Sequence, residues 1–198
     1  MDGVITLFAA QAEESQARRR IRRLGLPFEI LFLLLTGLTV LGMAAVFVVG
    51  LAAGPAALWI GADNTWLVLP GSTPPMDAAP FHSLPPATRL AGGLAFAVIG
   101  GSLALAFHWL RALFGAYRRG DVFGPAPQGF MQAAALALIV FALAPGLLQP
   151  LLRLVGSPDR GWFHGHSLAA LMVGGVLIVL ARVMALGREV ERETREFI

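Results

Sequence analysis

The residues best equipped for chemistry are four histidines. His82, His164 and His166 stand near Asp63, Asp77 and Asp159 in two polar segments. Imidazole and carboxylate donors from two loops make a divalent-metal site, and His164-Gly165-His166 offers two donors one residue apart. The spacing matches no specific metal motif, however, and loop histidines are commonly solvated. His108 lies instead inside an apolar run, as a haem ligand would. No second His within such a run completes bis-His ligation. Its plainer role is a hydrogen bond to a neighbouring helix. The sequence therefore assigns no metal and no cofactor.

Nucleophilic and phosphate chemistry find no better support. There is no Gly-x-Ser-x-Gly elbow, no His-Glu-x-x-His and no phosphate-binding Gly loop followed by Lys. With no Cys, disulfides and thiolate metal sites are excluded. These readings point to a protein without catalytic chemistry. Arg182 is a rare charge within an apolar run. About one turn from the end of its helix, it can snorkel to the interface or pair with Glu29.

The elements that would carry these residues are four apolar runs, near Ile30–Leu58, Arg89–Phe114, Phe130–Leu154 and Leu168–Leu186, with no Asp or Glu inside them. Each reaches or nearly reaches the ~20 helical residues that cross a ~30 Å hydrocarbon core. The 198-residue chain is 57% hydrophobic and 14% charged, with mean hydropathy +0.72. One soluble core of this size could not hide so much apolar surface. The absence of carboxylates in the spans weighs against proton- or cation-coupled transport. The first run is also too long, and starts too far along the chain, for a cleavable signal peptide.

All 15 basic residues are Arg, and their placement predicts orientation. Arg18, Arg19, Arg20, Arg22 and Arg23 precede the first span, Arg111, Arg118 and Arg119 flank the second connection, and Arg188, Arg192 and Arg195 follow the fourth span. The positive-inside rule puts both termini and the middle loop in the cytoplasm. The expected fold is an all-α, integral membrane four-helix bundle. Residues 1–28 form an Arg-rich cytoplasmic segment, and 29–198 form the four-span domain. A long Pro-rich external loop over 59–88 follows the first span, with Thr65–Leu69 either a strand or loop. A charged tail extends the fourth helix into the cytoplasm.

Within the second run, Gly93, Ala97, Gly101, Ala104, His108 and Arg111 recur at steps of four and three. They share one helix face, which is predicted to pack inside the bundle with Arg182 as a further packing residue. Gly25 and Pro27 are expected to interrupt the chain before the first span, and Pro145, Gly146 and Pro150 to kink or loosen the third. Gly120 is expected to end the second helix in a left-handed cap, with Asp121 beginning a turn.

The connection Leu113-Phe114-Gly115-Ala116-Tyr117-Arg118-Arg119-Gly120-Asp121-Val122-Phe123 and the ending Ala185-Leu186-Gly187-Arg188-Glu189-Val190-Glu191-Arg192-Glu193 resemble those of the bacterial membrane family called domain of unknown function 2975. Where its members often carry Asn after the Phe, this chain has Pro125, Pro127 and Gln128. The resemblance covers about residues 30–198 and implies a small four-span protein. It also implies association with a small helix-turn-helix regulator.

The expected function is accessory or regulatory. A cytoplasmic partner would dock on Arg118, Arg119, Gly120, Asp121 and Phe123 together with Arg188, Glu189, Arg192 and Glu193. The lipid bilayer is the other partner, a homo-oligomer is an option, and direct nucleic-acid binding is not expected. Two alternatives stand beside this reading. One is an oligomeric small transporter or channel-like protein using the Gly93–Arg111 stripe. The other is an external metal- or ligand-binding protein using His82, His164 and His166.

Overall fold

Small residues decide how the helices meet. In the computed structural model, residues 25–49, 58–60, 65–67, 73, 76, 78–121, 124–157 and 165–196 are described, with backbone alone at 65–67 and 190–196. They form α1 (Gly25–Val49), β1 (Leu58–Ile60), β2 (Thr65–Leu67), β3 (Ala79–Pro80), a 3-10 turn (Phe81–Ser83), α2 (Pro86–Arg119), α3 (Pro125–Leu154) and α4 (Gly165–Glu196). Ala106, Ala134, Ala135, Ala142 and Ala181 are almost fully buried where α3 packs between α2 and α4. In lipid, no hydrophobic force drives helices together, so close contact between small residues supplies the attraction. Leu138, Gln149 and Leu152 are larger buried side chains on α3, and others gather near one end. There Leu113, Met131 and Ala181 form a core flanked by Tyr117, Phe130 and Met184.

The outward faces are apolar. Leu38 and Leu41 on α1 are each 68% exposed, and Leu147 on α3 is 75% exposed. Four helices are long and apolar enough to cross a membrane, and these side chains meet hydrocarbon. Three hydroxyls within the spans bond to their own helices. Thr36 donates to the Phe32 carbonyl at 2.7 Å, Thr39 to Leu35 at 2.8 Å and Ser102 to Ile99 at 2.8 Å. Such back-bonding satisfies these three donors within the helix, where lipid offers no partner.

The helix ends follow from local chemistry. Gly120 (φ 88°) closes α2: its N–H donates to the Tyr117 carbonyl and that of Asp121 to Ala116. Gly156 (φ 73°) closes α3 similarly, with Gly156 N–H donating to Arg153 and Ser157 N–H to Leu152. Both are Schellman motifs, which need a left-handed residue that Gly adopts without strain. At the opposite end of α2, the Thr88 hydroxyl donates to the Val155 carbonyl and ties the start of α2 to the end of α3.

Several expectations are corrected. The first helix is described from Gly25 and contains Pro27, so neither residue separates the chain from the span. It is described to Val49, and Leu58, expected to end that span, begins β1. The long loop is therefore not wholly irregular. β1 pairs antiparallel with β2 (Trp59 opposite Trp66) and with β3 (Trp59 opposite Pro80), in the order β2-β1-β3. The bundle thus carries a small sheet, and Pro80 is tolerated on its edge. α3 is a single helical segment, Pro125–Leu154, with Pro145 and Pro150 inside it, where a kink is expected.

Candidate functional site

The Arg-bearing end of the bundle is built from the start of α1, the α2–α3 turn and the end of α4. Gly25 lets α1 approach closely. A Cβ there would stand 3.0 Å from Arg118 N and 3.1 Å from the Phe114 carbonyl oxygen. Above this contact Phe28 and Phe32 stack on Phe114, with ring centroids 4.9 and 5.6 Å apart. Phe114 also meets Tyr117 edge-on at 5.8 Å. The aromatic ladder thus fixes α1 along the face of α2 defined by Phe107, Phe114 and Arg118.

Glu29 lies within this frame. Its Oε2 is 2.8 Å from Arg118 Nε, with the two side chains 20% and 48% exposed. Among the described residues Oε2 has no hydrogen-bond partner, and its contact with Arg118 is an ion pair. Gly115 provides the room. The position of an added Cβ there is 3.6 Å from Glu29 Cδ and 3.5 Å from the Arg119 guanidinium. Glu29 therefore pairs with Arg118, not with Arg182, which is exposed on α4. Arg118→Met is expected to cost about 1 kcal/mol, the upper end for a partly exposed pair. It leaves a half-shielded carboxylate near the membrane edge. Arg118→Met/Glu29→Met should recover most of that loss in detergent unfolding. Losses in Arg118→Met and Glu29→Met that simply add up to the loss in the double variant would show that the ion pair contributes nothing.

The connecting turn is tightly specified. The Asp121 carboxylate accepts the Gly124 N–H at 2.9 Å and occupies the space that a Gly124 side chain would need. This holds Arg118, Arg119 and Gly120 exposed at the rim. Phe123 lies outside the described residues. On α4, Arg188 follows Ala181 by seven residues and so continues the bundle-facing side. Its Nε is buried with no hydrogen-bond partner among the described residues, while Glu189 is exposed. Arg192 and Glu193 lie on the helical backbone of α4, and their side chains lie outside the described residues.

The α2 stripe is placed differently from expectation. The buried positions on α2 include Thr88, Ala95, Ser102, Ala106 and Leu113, in near-heptad steps. Ala104 is nine residues from Ala95 (104 − 95), half a turn around the helix. Gly93 touches Phe47 of α1 at 3.8 Å from its Cβ position, but Gly101 faces open space. His108 is exposed, its ring 5.3 Å from that of Trp109, and Ala97, Ala104 and Arg111 are half-buried. The stripe does not form the interior of the single chain.

The histidines are dispersed. His82 is exposed in the 3-10 turn, and His166 is exposed in the first turn of α4, 5.9 Å from the Phe141 ring. His164, Asp63, Asp77 and Asp159 lie outside the described residues, as does the Arg18–Arg23 cluster. Among the described residues no three His, Asp or Glu gather to hold a metal.

Glu29, Gly25 and Gly115 escaped the sequence reading as a site. Their signal was a small residue one turn from Glu29, opposite another one turn from Arg118. Together the four apolar helices and the bundle they form define a multi-pass membrane protein. No protein-family model, curated protein or solved structure matches the chain.

Proposed function

We infer that this protein is an accessory or regulatory membrane protein, without catalytic chemistry, that presents a docking face to a cytoplasmic protein. The observation that carries this reading is the reach of α4. Its helix continues to Glu196, ten residues (196 − 186) past Leu186, where its apolar run gives way to charged residues. The extension leaves the bundle at the end where the Gly120 turn displays Arg118 and Arg119. By the positive-inside rule that end is cytoplasmic, with both termini on the same side. The bacterial inner membrane and a small helix-turn-helix partner rest on the resemblance to domain of unknown function 2975. An acidic surface is the natural complement to the exposed guanidiniums, whose long-range field steers such a partner.

A photoreactive residue at Arg192, activated in native membranes, tests the reading. It is expected to cross-link a cytoplasmic protein, and Arg118→Glu/Arg119→Glu is expected to weaken that capture about tenfold or more through like-charge repulsion. Capture unaffected by the charge reversal would sink the assignment of the turn. Exclusive self-cross-linking through α2 would sink the partner reading altogether and favour an oligomeric transporter.

A further inference from the structure

At the sheet-bearing end, opposite the Arg-rich turn, α1, α2 and α3 part to leave a cavity of about 550 Å³. Its cause is visible in the residues. On α2 it is faced by Gly92, Gly93, Ala95 and Ala97, and on α3 by Pro145, so bulk is missing where helices would otherwise close. A Cβ at Gly92 would meet nothing within 4 Å. Leu58, Ile60 and Phe81 cover it from the sheet and the 3-10 turn.

The lining is polarised along the helix axis. On α2 it runs from Pro86 to Ile99, about 20 Å at 1.5 Å per residue. That exceeds the ~15 Å depth of one leaflet of a ~30 Å core. The deep end is apolar, with Val46, Phe47, Phe96 and Ile99. Its polar side chains are Arg89, Gln149 and Ser157, from the first turn of α2, the last turns of α3 and the residue after its Gly156 cap. Among the described lining residues there is no carboxylate. The first turn of α2 also lacks an acidic residue and a side-chain cap, so its positive dipole adds to the Arg89 charge. Leu90 and Leu94, 68% and 59% exposed, put this rim beside the lipid phase.

We propose that this cavity binds one anionic glycerophospholipid of the surrounding leaflet, with one acyl chain inside and its phosphate at Arg89. The occupant follows from the lining. The apolar deep end offers water no hydrogen-bond partners, a chain enters sideways from the bilayer, and the guanidinium with the α2 dipole selects a negative headgroup. The site lies at the far end of the bundle from the proposed docking face and does not depend on it.

The full-length protein, purified in detergent and stripped of lipid, is titrated with phosphatidylglycerol or phosphatidylcholine of matched chains. Retained lipid is counted by native mass spectrometry. One phosphatidylglycerol is expected to bind at least about tenfold more tightly than phosphatidylcholine. Arg89→Gln should bring the two lipids level. Gly92→Leu, whose Cβ meets nothing within 4 Å and whose side chain takes up space in the cavity, should remove that one lipid while helical content stays unchanged. Equal retention of the two lipids by the unsubstituted protein overturns the proposal. So does undiminished phosphatidylglycerol binding by Gly92→Leu, or a retained occupant that lacks phosphate.

Discussion

Gly25→Leu is expected to pry the start of α1 from α2 and to give the largest loss at the Arg-rich end. The reason is what a side chain would strike. The Gly25 Cβ position is 3.0 Å from Arg118 N, 3.1 Å from Phe114 O and 3.2 Å from Arg118 Cα. All three are backbone atoms, so no rotamer change relieves the overlap and the helix axes must separate. Separation breaks the Phe28–Phe114 and Phe32–Phe114 stacks, worth about 0.5–1.5 kcal/mol each, and parts Glu29 from Arg118. A total of about 2–4 kcal/mol follows with the overpacking strain included. Gly100→Ala is the internal control. Its new Cβ would meet the Met43 Sδ at 2.6 Å, but the thioether end of Met swings aside at little cost.

The chain offers a clean reporter because it contains no Cys. In Met43→Cys/Gly100→Cys, the new sulfur at position 43 takes the place of Met43 Cγ, which lies 3.0 Å from the Gly100 Cβ position. That spacing suits a disulfide. Oxidative cross-linking of this pair should be fast with Gly25 and slowed about tenfold or more by Gly25→Leu, since 1.4 kcal/mol is a factor of ten. Rapid cross-linking together with unchanged thermal stability would show that the Gly25 contact does not set the position of α1.

The aromatic ladder and the Gly120 cap show what the sequence could reveal and where its signal was degenerate. The spans were legible because a run of ~20 apolar residues has one economical home. Gly120 was legible because a left-handed residue after an Arg-rich helix end strongly favours Gly. The packing face of α2 was not. In water, polar and apolar residues mark the outside and inside of a helix, but in lipid both sides are apolar and only residue size remains. α2 has small residues nearly all round, from Gly92 and Gly93 through Gly100, Gly101 and Ser102 to Ala106. The Gly93–Arg111 line and the Thr88–Leu113 line both read as seams, and partner surfaces on α3 and α1 chose between them. Glu29 was ambiguous for the same reason. Arg118 and Arg182 both reach the interface near an Arg-rich end, and the stacking of Phe28 and Phe32 on Phe114 puts Arg118 alongside.

Gly174→Leu is expected to have a comparable effect on the other side of the bundle. There α4 meets α3 through Gly174, whose Cβ position lies 3.0 Å from Ile139 Cγ1, 3.1 Å from the Ala135 carbonyl oxygen and 3.5 Å from Leu138 Cβ. The carbonyl belongs to the α3 backbone, so Ala must already shift a neighbour by tenths of an ångström. Leu must move the helix. Overpacking of this kind costs about 1–3 kcal/mol, occasionally more. Ala181, fully buried two turns further on, should lose its place in the core with Leu113 and Met131, taking Arg188 with it. The adjacent glycine provides the comparison, because nothing lies within 4 Å of a Cβ at Gly175. Gly175→Leu carries the same change in composition and helix propensity onto an open face, so it should unfold in detergent at or above the temperature of the unsubstituted protein. Gly174→Leu should unfold well below it and, through Arg188, also weaken any cross-link made from Arg192. Equal destabilisation by the two substitutions would mean that the close approach at Ala135 is not what holds the fourth span in the bundle.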